Sequence, residues 1–87
     1  MPPSPPDARA RFEAVVTSLA AKRDALRARG DDIVAQTLDG ILARLDAERA
    51  AVVARPDRSG DDAAYEDMID RAAAIGQYAD LALSRRG

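Results

Sequence analysis

Two short interruptions constrain this chain more than any other feature. Arg29-Gly30-Asp31 and Arg55-Pro56-Asp57-Arg58-Ser59-Gly60 break a long run of helix-forming residues. Glycine ends helices because it adopts left-handed backbone without steric cost, and proline disfavours helix at the residue before it. The stretches between carry apolar residues at helical spacing and no strand-like alternation. The chain is therefore expected to be all-α, with helices at about 8–29, 32–54 and 61–84. Connections this short make consecutive helices antiparallel neighbours. The expected architecture is three antiparallel helices, forming hairpins that assemble as a three-helix bundle or a flat layer, completed by self-association. Residues 7–87 make this single domain. Residues 1–6, Met-Pro-Pro-Ser-Pro-Pro, read as an extended or disordered leader, because proline fixes φ and removes donors.

The ends of the helices carry their own signals. Asp7 is placed to cap the first helix, and Asp31 the second. Gly30 reads as the residue just past a helix end. Ser59-x-x-Asp62 offers a weak capping box for the third helix. Asp61 and Asp62 at its start, and Arg85 and Arg86 at its end, complement the helix dipole. Arg29-Gly30-Asp31 also spells an adhesion tripeptide, but the capping roles account for all three residues.

Packing is harder to arrange than helix formation. The apolar fraction is 47%, nearly half of it alanine, with one Phe, two Tyr and no Trp. Alanine favours helix and lets helices approach, but buries little area. A domain of this size buries only about 60% of its unfolded surface. Such a chain packs its helices tightly or gains area by association.

The larger apolar residues mark the core faces. Helix 1 presents Phe12, Val15, Val16, Leu19 and Leu26, interrupted by Arg23, whose stem can cover apolar surface. Helix 2 presents Val34, Leu38, Ile41, Leu42, Leu45, Val52 and Val53 within about 120° of its wheel. Helix 3 presents Tyr65, Met68, Ile69, Ala72, Ile75, Gly76, Ala79 and Leu83.

Gly40 lies on the opposite side of helix 2, in a second stripe of small residues with Ala43, Ala47 and Ala51. Mid-helix glycine costs roughly 1 kcal/mol relative to alanine, so the position needs a reason. A hairpin of helices 2 and 3 would set Gly40 level with Gly76, within the small run Ala72, Gly76 and Ala79. Two missing Cβ atoms would then allow a close crossing. In that arrangement helix 2 is the middle of a flat layer. If helices 1 and 3 both take the large face instead, the Gly40 stripe becomes an exposed contact surface. A second exposed patch is expected at Ala74, Tyr78 and Leu81, which project away from the core stripe of helix 3.

Charge divides unevenly. Helix 1 carries Arg9, Arg11, Lys22, Arg23, Arg27 and Arg29; the start of helix 3 carries Asp61, Asp62, Glu66, Asp67 and Asp70. Juxtaposed, these would favour correct pairing more than raw stability. Solvated faces with local i,i+4 pairs are the alternative.

The composition narrows the chemistry. There is no Cys and no His, so thiolate sites, disulfides, cysteine nucleophiles and imidazole bases do not arise. The serines lack an obvious base, there is no glycine-rich phosphate loop, and the acidic run follows no metal-loop spacing. No cofactor or metal is expected. A net charge of −2 does not point to nucleic acid, and no run is long enough to span a membrane. The arginines of helix 1 leave a DNA-associated regulator as a second alternative, without a helix-turn-helix pattern. The cytoplasm is the default location. Twelve Arg against one Lys, with much Ala and Asp, reads as a high-GC bacterial gene.

Leu38-Asp39, with Leu42, Leu45 and Ala47-Glu48-Arg49 following, resembles the first helix of the small all-helical chorismate mutases. The resemblance covers under a fifth of the chain and falls on the second helix. It implies an enzyme working with Arg and carboxylates alone, with Arg49 as its critical residue and Arg55 or Arg58 as the basic residue beyond the helix. The leading expectation is different. It is a non-enzymatic helical interaction module for docking, assembly or regulation, which homodimerises or binds a helical partner. Its contact residues would be Gly40, Ala43, Ala47, Ala51, Ala74, Tyr78 and Leu81.

Overall fold

The first break closes on itself through backbone hydrogen bonds. In the computed structural model, which describes residues 7–57 and 59–85, Gly30 has a φ of +90°. The Gly30 N–H donates to the Arg27 carbonyl at 3.1 Å, and the Asp31 N–H to the Leu26 carbonyl at 2.9 Å. These two bonds are the Schellman pair, and the left-handed glycine makes them possible. They join α1 (Ala8–Ala28) to α2 (Asp32–Ala54); α3 (Asp61–Ser84) follows the second break. There is no strand among the described residues. The proline-rich leader lies outside them.

The caps differ in detail from expectation. Asp7 caps α1, its carboxylate accepting the Ala10 N–H at 2.8 Å. Asp31 makes no side-chain cap on α2; its carboxylate turns back to Arg29 Nε at 3.0 Å. The capping box at Ser59 does not form. Gly60 occupies the N-cap position of α3 without a side-chain cap. The Ser59 N–H instead donates to Asp57 Oδ1 at 2.9 Å, closing a turn inside the loop. That bond is the main reason the Asp57 carboxyl lies below its ordinary value. At the far end, Arg29 of the first connection donates to the carbonyls of Leu83 and Arg85. These carbonyls lie at the end of α3, where helical donors run out, and the Arg29 cation binds them.

Each helix sinks one residue into the core every two turns. Buried positions seven residues apart are Phe12, Leu19 and Leu26 on α1, Leu38, Leu45 and Val52 on α2, and Tyr65, Ala72 and Ala79 on α3. A seven-residue repeat keeps one seam facing the neighbouring helices along the whole length. Phe12 and Tyr65 stack at a tilt, with ring centroids 5.5 Å apart. Ala35 is fully buried, where only larger residues had marked the core face of α2, whereas Val53 is exposed.

α1 is the shared element of this bundle. It packs most extensively on α3, then on α2, while α2 and α3 touch each other least. Of the two expected arrangements, these contacts fit the bundle and not the flat layer with helix 2 in the middle. Ala72, Gly76 and Ala79 are buried, and Gly76 meets side chains of α1, not of α2. A Cβ added at Gly76 would stand 3.5 Å from Lys22 Nζ and 3.8 Å from Leu19 Cδ2. One added at Gly40 would meet nothing within 4 Å. The glycines therefore do not form a crossing. The physical reason lies on the edge of α2 that faces α3, where Arg44, Glu48 and Arg55 hold the two helices apart.

Ion pairs follow the same hierarchy. Arg11 pairs with Glu66, and Lys22 with Asp80 at 3.0 Å, across α1 and α3. Arg23 and Arg27 converge on Asp39, and Arg49 reaches Glu13 at 3.5 Å, across α1 and α2. Burial raises the Asp39 carboxyl, but the hydrogen bonds and charges of Arg27 and Arg23 outweigh it and hold it below the ordinary value. Between α2 and α3, Arg71 pairs with Glu48 at 3.0 Å.

A candidate protein-contact surface

The open seam between α2 and α3 is built from side chains at helical spacing. On α2 its wall is Ile41, Arg44, Glu48, Ala51 and Arg55, which recur along one edge. On α3 it is Ala64, Asp67, Arg71 and Ala74, with Ile75 beneath. Two hollows of about 310 Å³ each lie along the seam. The Glu48–Arg71 pair lines both and separates them. The Arg71 guanidinium donates to Glu48 Oε1 at 3.0 Å, and this bond is the largest cause of its raised pKa. Glu48 Oε2 is buried without a donor among the described residues. The upper hollow is floored by Ile41, Leu45, Ala72 and Ile75 and is mainly apolar.

The apolar surface continues past this hollow. Tyr78 lies one turn beyond Ala74 on α3, and Leu81 follows at the next turn. Ala74 is exposed, Tyr78 is 51% exposed and Leu81 63%. On α2, Ile33 is 82% exposed, about three turns before Arg44 on the same edge. Ile33 did not figure among the expected contact residues. Its sequence signal was its position off the core stripe, the same signal that singled out Tyr78 and Leu81.

The expected contact residues thus divide. Ala74 lines the upper hollow and Ala51 the lower. Gly40, Ala43 and Ala47 are exposed but line neither hollow, on a separate face of α2.

Some charges at and near this surface stand without an ion pair. Arg44 and Arg55, on the α2 wall, have no ion-pair partner among the described residues, and neither does Asp70 on the outer side of α3. On α1, Arg11, Lys22, Arg23 and Arg27 are each engaged with an acid, while Arg9 has no ion-pair partner among the described residues.

The arginines of the enzyme alternative are not brought together. Arg49 lies in a different hollow with Phe12, Glu13, Val16 and Asp46, bonded to Asp46 at 2.7 Å, while Arg55 lines the α2/α3 seam. Arg58 lies outside the described residues. Among the described residues, no group of three or more His, Cys, Asp or Glu is placed to hold a metal ion. Among the described residues, no helix is long and apolar enough to cross a membrane. No protein-family model, curated protein or solved structure matches the chain.

Proposed function

We propose that this chain is a non-enzymatic helical interaction module, a docking, assembly or small regulatory domain of the cytoplasm. In this reading α2 runs antiparallel to α1 and α3, and the α2/α3 seam receives a protein. The single observation that carries it is the run of exposed apolar side chains at Ile33, Ala74, Tyr78 and Leu81 beside an apolar hollow. Exposed apolar side chains beside an apolar hollow mark contact sites, and aromatic residues are enriched where contacts hold most energy. An ion-pair register supports the helix directions: Arg11 with Glu66 and Lys22 with Asp80 advance together, while Glu13 with Arg49 and Arg23 with Asp39 advance oppositely.

Photo-cross-linking tests the reading. A photoreactive phenylalanine analogue replaces Tyr78 in the full chain inside cells, and exposed Ala21 of α1 in a control. A discrete adduct from position 78 and none from position 21 is the expected result. No adduct from position 78, or equal labelling from both, overturns the reading.

A further inference from the structure

We infer that the occupant of the α2/α3 seam is the α3 ridge of a second copy of this chain, bound about a twofold axis near Ala74. The inference rests on the contact-module reading and deepens it. A twofold interface needs one patch that is both receptor and ligand. This face has that form. With the axis at Ala74, the second copy's Leu81 comes level with Asp67, over the lower hollow, and the upper hollow lies directly beside the ridge of Ala74, Tyr78 and Leu81. Ala74 belongs to both, and its short side chain lets two α3 helices cross closely.

Charge complementarity favours a second copy over a foreign helix. Arg44 stands unpaired on one side of the hollow and Asp70 unpaired on the other side of the ridge. The Glu48–Arg71 pair fixes the register across the seam. One turn on from that pair, Arg44 is level with Ile75. Two α3 helices crossing oppositely at Ala74 then bring Asp70 of the second copy within about one helical turn, roughly 5 Å along the axis, of Arg44. The stem of an arginine spans that offset. The twofold axis makes the contact twice, so each chain supplies the charge the other lacks.

Molar mass by light scattering over roughly a hundredfold dilution, on the full chain, tests this. The wild type is expected to pass from dimer to monomer on dilution. Leu81→Glu is expected to be monomeric throughout. Arg44→Glu and Asp70→Arg are each expected to weaken the dimer by about tenfold or more, and the double variant to recover most of that loss. These residues are exposed, and equal helicity by circular dichroism verifies that each variant folds. A wild type monomeric at every concentration overturns the inference, as does a dimer indifferent to Leu81→Glu or a double variant no stronger than the singles. A monomer that still gives a heterologous adduct from position 78 sinks the second copy and keeps the contact module. A monomer without any adduct sinks both.

Discussion

The α1/α3 and α2/α3 seams draw on the same alanine-rich helix and end up unlike each other. At the first, Gly76 faces Leu19 and the Lys22 ammonium, Ala72 lies beside them, and Arg11–Glu66 and Lys22–Asp80 pairs cross the seam. At the second, Ala64 and Ala74 face Arg44, Glu48 and Arg55, and a hollow remains. Small residues therefore do not determine whether two helices meet. The partner does: large apolar side chains fill the space alanine leaves, while charged ones need water and keep it open.

The largest expected effect breaks the filled seam. Leu19→Ala removes a buried side chain where the alanines of α3 cannot expand to fill the gap. It should cost about 2–5 kcal/mol in urea unfolding, enough to unfold much of a domain this small. A loss below about 1 kcal/mol would mean that the seam can collapse around the gap.

A second change sharpens the contrast by closing the open seam. Replacing Glu48 and Arg71 together by leucine removes a partly exposed ion pair of little worth and adds apolar contact. Stability should rise by about 1 kcal/mol, with slower amide exchange in the middle of α2 and α3. Unchanged exchange would show that the hollow persists for a reason other than those charges.

The two glycines give the next comparison. Gly40 faces open space, so Gly40→Ala should stabilise by about 1 kcal/mol through helix propensity alone, and even Gly40→Leu should leave folding intact. Gly76→Ala adds a methyl at ordinary contact distance from Leu19 and should be tolerated, whereas Gly76→Leu should cost about 1–3 kcal/mol by overpacking α1 against α3. Thermal melts of the four variants check the ranking.

The smallest effect is acidic. The folded carboxyl of Asp39 lies below its ordinary value of 3.8. A depressed carboxyl contributes stability that is present above the unfolded value and is lost as pH falls through the folded one. Melting temperature should therefore decline below about pH 4, and Asp39→Asn should remove a part of that decline while lowering stability slightly at neutral pH. A parallel decline in the variant would assign the acid sensitivity to other groups.

Much of this architecture was legible in the chain. The helices fall within a residue of their expected bounds because Gly30 and Pro56 act locally, and local signals survive in any tertiary context. The core faces were legible for the same reason, as were Tyr78 and Leu81, which fall off the stripe of their helix. Partner choice was not. A wheel shows which face of α2 is buried but not which helix buries it, so Gly40 and Gly76 seemed a pair although each answers to a different neighbour. The hollow was hidden because it depends on how far α2 and α3 splay. Phe12, Leu19 and Leu26 already carried the clue to the central helix: no other helix repeats residues as large at every second turn.

Arg29 has a mechanical consequence. Its side chain grips the end of α3 from the turn that joins α1 to α2. The first connection and the last turn of the bundle are thereby fastened to one post. A force applied along the chain beyond α3 reaches the α1–α2 turn before it reaches the core, and fraying at that end must first unhook a residue that lies more than fifty positions earlier.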